Sequence, residues 1–250
     1  MRLLLIFVAI CAFGGDVTVR FRAVVGDAEL ACGHQYPGIG VTQSTITPRD
    51  FRFYIHNVRL IDEAGNAIPI ELKQDGKWQF DNVALLDFED ATGACRNGTP
   101  DTHREIEGTV PAANYRGLRF TLGVPEEKNH TDLTAMPSPL NLTAMSWTWN
   151  AGRKFARLDF SSTGAPRGYT LHLGSTGCAP DGSRTKCRAP NRSEIEIPAF
   201  DPAHDVVLAD LKALLKDTNV DEAGDGCMSS PDTPACGPLL ANFGRTFFRK

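Results

Sequence analysis

The sequence predicts an all-β fold, a single antiparallel β-sandwich with disulfide-pinned loops and one short helix near the C-terminus. Short runs of alternating apolar and polar residues, bounded by Gly, Pro, Asn and Asp, recur along the chain. This period of two is typical of strands with one buried face. The chain has 250 residues, which is long enough to bury one sizeable core.

The first 15 residues are typical of a short secretion signal. Arg2 precedes an apolar run over 3–13, and two small residues follow. The run is too short to span a bilayer, so we expect no transmembrane span. A buried first strand is the alternative, but polar alternation begins abruptly at Asp16. We therefore predict a leader over 1–15, export, and one domain over 16–250.

One cysteine lies within this leader. The segment 8–11, which ends at Cys11, loosely resembles a bacterial lipoprotein box. Ile10 is bulkier than the small residue usual before such a cysteine. A lipid anchor at Cys11 is therefore not expected.

Five runs carry the clearest strand pattern. Apolar side chains alternate with polar ones over 17–23, 51–56, 118–122, 169–173 and 194–197. A helix is predicted over 208–216, where Leu208, Leu211, Leu214 and Leu215 share one face and Lys216 ends the run.

The six cysteines outside the leader predict a disulfide framework, although six cysteines allow fifteen pairings. Two pairs each enclose eight residues in loops rich in Gly, Pro, Asp and Ser, so local bridges are favoured there. The pairs are then Cys178 with Cys187 and Cys227 with Cys236, leaving Cys32 with Cys95. A zinc knuckle is the alternative, but zinc knuckles favour spacings of about two to four residues.

The charge and motif content exclude several functions. The net charge of −4 argues against a nucleic-acid partner, because phosphate binding needs clustered Lys and Arg. We find no acid–base dyad, nucleophile motif or phosphate loop, and we do not expect an enzyme. What remains is a set of two imidazoles, His130 and His172, with Trp147 and Trp149 between them. Imidazoles are good ligands for copper or zinc.

Five blocks of sequence carry a family resemblance. They lie at 84–90 with 95–99, at 122–125 with 129–132, at 139–155, at 171–178, and at 226–229 with Cys236. In this order they resemble the metallo-mystery pair four-Cys motif family of bacteria. That family includes the periplasmic protein encoded beside methanobactin copper-acquisition genes. One departure is Arg153, which stands where the family usually has an aromatic residue.

The resemblance implies a periplasmic copper-binding protein. It also implies a dihaem cytochrome c peroxidase-like partner that oxidises a tryptophan to kynurenine. The positions carried over are His130 and His172 as copper ligands, with Trp147 or Trp149 as the modified residue. The four family cysteines match Cys178, Cys187, Cys227 and Cys236.

The residues themselves leave alternatives open. His172 alternates away from its apolar neighbours and could occupy a solvent face, and His130 lies in a polar loop where Asp132 could orient its ring. His56 is a third candidate ligand. Exposed Trp147 and Trp149 could instead form the stacking platform of an exported carbohydrate-binding or adhesive sandwich.

Overall fold

A computed structural model describes residues 14–96, 98–148, 152–222 and 226–250. The predicted leader with Cys11 lies almost wholly outside the described residues, and Trp149 lies outside them as well. The first described strand begins at Gly14, two residues before the domain start predicted from the sequence.

The described strands form two large sheets and one hairpin. The six-stranded sheet contains β1 (Gly14–Val25), β2 (Ala28–Glu29), β6 (Glu71–Leu72), β9 (Glu105–Pro111), β16 (Val206–Asp210) and β17 (Phe248–Arg249). The nine-stranded sheet contains β3 (Tyr36–Ile39), β4 (Ser44–Asp62), β5 (Ala67–Pro69), β7 (Gln79–Phe80), β8 (Val83–Asp87), β10 (Tyr115–Leu122), β11 (Ala156–Ser162), β12 (Tyr169–Leu173) and β15 (Ser193–Pro198). The hairpin consists of β13 (Thr176–Asp181) and β14 (Arg184–Ala189).

Helices are short and lie outside the sheets. They are α1 (Glu126–Asn129), α2 (Leu211–Leu215) and α3 (Cys236–Arg245), with a 3-10 turn at Thr143–Met145. Within the described residues, no helix is long and apolar enough to cross a membrane.

The two large sheets pack face to face, which confirms the predicted all-β sandwich. The Phe21 ring on β1 contacts Phe53 on β4 and Phe120 on β10, with centroids 6.3 and 5.8 Å apart. All five predicted runs lie in strands, namely β1, β4, β10, β12 and β15. Among the described strands, pairing is antiparallel except between β1 and β16.

The pairing favoured by the cysteine spacing is confirmed. Disulfides join Cys32 to Cys95, Cys178 to Cys187, and Cys227 to Cys236. The second bond crosses the β13–β14 hairpin, where its two cysteines lie directly opposite each other. The third ties the segment beside β12 to the first residue of α3.

The helix predicted over 208–216 is wrong in its first part. Residues 206–210 form β16, which pairs in parallel with the central strand β1. The Asp210 carboxylate then accepts hydrogen bonds from the backbone N–H groups of Lys212 and Ala213, so it caps α2. Pairing in the sheet outweighs the helical spacing of the leucines, because the tertiary context overrides a short periodic pattern.

The sequence analysis did not predict the longer helix α3. Gly237 and Pro238 near its start weaken the helical signal in the sequence, because both residues are unfavourable in helix interiors. Proline is nevertheless tolerated in a first turn, where its missing N–H has no intrahelical acceptor. Leu239 and Phe243 bury the inner face of α3 in the core.

Candidate metal centre

Polar residues are buried on the outer face of the nine-stranded sheet. Four of them lie side by side on neighbouring strands. In order across the sheet these are His172 on β12, Arg157 on β11, Arg52 on β4 and Asp87 on β8. Residues before β11 contact this face. The Tyr54 hydroxyl on β4 donates to the Pro139 carbonyl oxygen at 2.6 Å, and Nη1 of Arg157 donates to the Ala144 carbonyl oxygen at 3.4 Å. Both faces of β4 are therefore buried over residues 50–55, which a simple alternation of core and solvent does not predict.

The ring of His172 lies on this covered face. Its direction, opposite to Leu171 and Leu173, agrees with the strand alternation, but the residue is only 8% exposed. Nε2 lies 3.1 Å from Oδ1 of Asp159, while the buried Nδ1 has no hydrogen-bond partner among the described residues. Because a carboxylate only accepts, the proton of the neutral ring belongs on Nε2 and the lone pair on Nδ1.

The backbone around His172 is fixed by the residues after β12. The His172 N–H donates to the Cys227 carbonyl oxygen at 2.9 Å, and the Cys227 N–H donates to the Thr170 carbonyl oxygen at 2.9 Å. The Ser229 hydroxyl donates to the His172 carbonyl oxygen at 2.6 Å. The Cys227–Cys236 disulfide therefore braces the strand that carries this histidine.

Charged neighbours determine the ionisation of the His172–Asp159 pair. Burial lowers the pKa of His172, and the hydrogen bond to Asp159 only partly opposes this effect. Burial also disfavours the charged form of Asp159, but the hydrogen bond from His172 and the charge of Arg157 hold its pKa below the ordinary value. Arg157 contacts Oδ2 of Asp159 at 2.7 Å and Oδ2 of Asp50 at 3.2 Å. The arrangement therefore favours a neutral imidazole oriented by a charged carboxylate.

Two further groups of this face have strongly shifted pKa values. Burial raises the pKa of Asp87 to about 8, although the charge of Arg52 opposes the shift. Burial lowers the pKa of Lys154 to about 8, and its Nζ donates to the Ala144 carbonyl oxygen at 2.9 Å. Buried charges without full compensation are costly, so burial shifts both groups toward the neutral form.

His130 follows α1 directly and is half-buried beside the hairpin. Its Nε2 lies 3.0 Å from Nδ2 of Asn129 and 3.3 Å from Sγ of Cys187. The Cε1 and Nδ1 atoms of the ring lie against Gly152, where an added Cβ would stand 3.0 Å from Cε1. The Cys178–Cys187 disulfide therefore lies beside His130, as the Cys227–Cys236 disulfide lies beside His172.

Trp147 occupies the space between these two neighbourhoods. It is 5% exposed, and it lines a cavity of about 310 Å³ together with His130. Its ring covers Gly174, where an added Cβ would stand 2.5 Å from Cζ3. Gly174 follows β12 directly, two residues after His172.

Arg153 is an organising residue that the sequence analysis did not identify. It is 2% exposed, and its guanidinium donates to the carbonyl oxygens of Leu140 at 2.8 Å, Asn129 at 2.8 Å and Lys128. Its backbone N–H donates to Oδ1 of Asn129 at 2.9 Å. The departure from the family's aromatic residue was the signal that marked this position.

The two remaining predicted site residues, His56 and Asp132, are hydrogen-bonded to other groups. Nδ1 of His56 is 2.9 Å from the Gly123 carbonyl oxygen, and burial lowers the pKa of this half-buried ring. Asp132 lines the cavity beside His130, but its exposed carboxylate accepts from the N–H and hydroxyl of Thr134 at 2.8 and 2.9 Å.

The closest cluster of ligand-type side chains is not the three histidines. Within the described ranges, one group of three or more His, Cys, Asp or Glu residues has its ligand atoms within 4.8 Å of one another. That group is His130 with Cys178 and Cys187, and its two sulfurs are already joined in a disulfide.

The fold and this site define a class of protein, a disulfide-braced β-sandwich in which two local disulfides each support one histidine beside a buried tryptophan. The family model described as MbnP matches residues 14–229, and the chain belongs to the MbnP family. This confirms the resemblance carried by the five sequence blocks.

A solved structure agrees with this assignment. MbnP from Methylosinus trichosporium is 32% identical to this chain, with a TM-score of 0.80. The similarity covers 91% of this chain and 88% of that one. A comparison with curated proteins finds no match.

Proposed function

We propose that this protein binds copper through His130 and His172, with an oxidised tryptophan as a further ligand. The observation that supports this most is the buried Nδ1 of His172, which has no hydrogen-bond partner among the described residues. An unsatisfied buried polar atom costs about 1–3 kcal/mol. Coordination of a metal by this nitrogen would recover that cost.

The chemistry of the two rings fits copper. Neutral imidazole suits copper, and a carboxylate on the second ring nitrogen is the usual partner of a metal-binding histidine. Asp159 supplies that carboxylate at 3.1 Å from His172. Asn129 donates to Nε2 of His130 at 3.0 Å, so this nitrogen carries the lone pair of the second ring. Both histidines are therefore prepared as neutral ligands.

The tryptophan must change before it can take part. An intact indole nitrogen carries a proton and its lone pair belongs to the ring, so it is a poor ligand. Opening of the indole to kynurenine by a dihaem cytochrome c peroxidase-like partner creates an aromatic amine and a carbonyl. Trp147 is the described candidate, because it shares a cavity with His130 and packs on Gly174 near His172. Trp149 remains the second candidate.

The proposed role is that of a copper-binding substrate of the haem partner and not of an enzyme. The three disulfides support an exported, periplasmic protein, since disulfides persist in oxidising compartments. The alternative sugar-binding function requires exposed indoles, and Trp147 is 5% exposed. Trp147 therefore offers no open stacking surface.

Co-expression with and without the haem partner tests the proposal. We expect kynurenine in the peptide that contains residues 147–149 only when the partner is present, together with tighter copper binding. Trp147→Phe and Trp149→Phe should differ in copper affinity. Only the substitution of the modified tryptophan removes the tighter binding that the haem partner produces. Two intact indoles in the copper-competent protein would contradict the proposal.

A further inference from the structure

The disulfide beside His130 places three metal-ligand atoms in one small volume. Nε2 of His130 and the Sγ atoms of Cys178 and Cys187 all lie within 4.8 Å of one another. In the disulfide the two sulfurs hold no thiolate charge and ligate metals poorly. The same three atoms would form a compact two-sulfur, one-nitrogen set once the sulfur–sulfur bond is broken.

Nε2 of His130 lies between an amide donor and the sulfur atoms. The amide orientation of Asn129 is fixed, because its Oδ1 accepts from the Arg153 N–H at 2.9 Å. Its Nδ2 therefore donates to Nε2 of His130 at 3.0 Å, which places the ring proton on Nδ1. The same Nε2 lies 3.3 Å from Sγ of Cys187. Cu(I) bound between this nitrogen and the two sulfurs would replace the Asn129 amide as the partner of the Nε2 lone pair.

This disulfide is also the most accessible of the three. Cys178 and Cys187 are both half-buried, whereas the first disulfide joins half-buried Cys32 to buried Cys95, and Cys227 and Cys236 are both buried. A dithiol in solution should therefore reach the hairpin bond first. After reduction the hairpin keeps the two cysteines opposite each other, because the β13–β14 pairing extends on both sides of them.

We propose that the Cys178–Cys187 disulfide is a redox switch. Its reduction creates a Cu(I) site made of both thiolates and Nε2 of His130. The reductant is a dithiol, which passes two electrons and two protons to the sulfur–sulfur bond and becomes a disulfide itself. Cu(I) then displaces the two thiol protons. Thiolates are soft ligands that favour Cu(I). This site needs neither His172 nor an oxidised tryptophan, and it shares only His130 with the proposed copper site.

Selective reduction is the first part of the test. Folded protein made without the haem partner is treated with dithiothreitol, alkylated without denaturant and mapped by peptide mass. We expect label on Cys178 and Cys187, with Cys32, Cys95, Cys227 and Cys236 still bonded. Labelling of the other pairs before the hairpin pair, or no labelling at all, would overturn the proposal.

Copper titration is the second part. Reduced and oxidised protein compete for Cu(I) with a coloured chelator under anaerobic conditions. We expect the reduced protein to hold one equivalent at least about tenfold more tightly, and His130→Asn to weaken this binding by about 10–100-fold. A Cys178→Ser, Cys187→Ser double variant with an unchanged circular dichroism spectrum should lose the gain in Cu(I) affinity that reduction produces. Equal affinity of the two redox forms, or retention in the double variant, would refute the site.

Two further variants separate this site from the copper site proposed above. The gain on reduction should persist in His172→Ala, since His172 lies beside the other disulfide. It should also persist in His204→Asn, which replaces an exposed histidine beside Asp201. Loss of the gain in His172→Ala would show that the thiolates contribute no separate site, and this would overturn the proposal while leaving the proposed function intact.

Discussion

The Oδ1 atom of Asp159 lies 3.1 Å from Nε2 of His172, on adjacent strands of a sheet face that Pro139 and Ala144 contact. The carboxylate holds the proton on Nε2 and leaves Nδ1 as the free lone pair of a buried ring. Arg157 keeps the carboxylate charged through contacts at 2.7 and 2.8 Å. This pair gives the proposed copper site a ligand that is neutral and oriented before metal arrives.

Asp159→Asn should weaken copper binding about 10–100-fold, because partners of ligating histidines tune affinity by this amount. Isothermal titration of the copper-competent protein measures the change. Asp132→Asn is the matched control, since the Asp132 carboxylate bonds to Thr134 and is exposed. Equal effects of the two substitutions would contradict the role of Asp159, and a larger effect of Asp132→Asn would restore the orienting role predicted from the sequence.

Gly174→Ala should displace Trp147 from its position. The new Cβ would stand 2.5 Å from the indole and 2.9 Å from the Arg153 carbonyl oxygen, and neither distance is tolerable. We expect a shifted tryptophan fluorescence spectrum and weaker copper binding. Gly237→Ala is the control, because an added Cβ there meets nothing within 4 Å. Unchanged fluorescence and copper affinity in Gly174→Ala would show that the contact between Gly174 and Trp147 is unimportant.

The sequence predicted the sandwich because its signals are local. Alternation over 51–56 and 169–173 requires only the period of a strand, and the short cysteine loops favour local bridges. The region 208–216 failed because its leucine spacing suits a helix, whereas Val206–Asp210 forms a strand beside β1. Pairing with a strand almost two hundred residues earlier in the chain leaves no local signal.

The site could be predicted only in part for the same reason. His130 and His172 came from the family resemblance, and their rings lie where two local disulfides brace them. Asp159 belongs to a strand whose polar side chains would ordinarily face solvent, so nothing in its neighbourhood marks it as a partner of His172. The covering of this sheet face by residues before β11 converts a surface carboxylate into a half-buried one.

Arg153→Met should destabilise the protein by about 2–4 kcal/mol. It would leave the buried carbonyl oxygens of Asn129 and Leu140 without this donor, and that of Lys128 with the Thr131 hydroxyl at 2.9 Å. Each unsatisfied buried group is costly. Urea unfolding followed by circular dichroism measures the difference. Arg49→Met is the control, because its two bonds to the carbonyl oxygens of Pro166 and Arg167 are solvent-exposed. Similar losses in both variants would refute the clamping role of Arg153.

Asp87→Asn should change the pH dependence of stability. The pKa of Asp87 in the folded protein is about 8, above its ordinary value of 3.8, so the folded state binds this proton more tightly than the unfolded chain does. The stabilisation is complete below the ordinary pKa and is lost as pH rises toward 8. The variant should therefore gain stability relative to the wild type between about pH 4 and 8.

Denaturant unfolding of both proteins at several pH values checks this expectation. The asparagine keeps an oxygen to accept from the Glu89 N–H, as Oδ1 of Asp87 does at 3.1 Å. Both proteins contain the same histidines, so the histidine contributions to the pH dependence cancel in the difference between the two unfolding free energies. A difference in unfolding free energy that is constant with pH would show that Asp87 has the same pKa in both states.

The most direct test of the copper site is an anomalous difference map recorded at the copper absorption edge. The crystals should contain copper-loaded protein made with the haem partner, so that the tryptophan is oxidised. We predict one strong peak within bonding distance of Nδ1 of His172 and of a ring nitrogen of His130, with the oxidised side chain beside it. A peak that touches neither histidine, or no peak in protein shown to contain copper and kynurenine, would contradict the account.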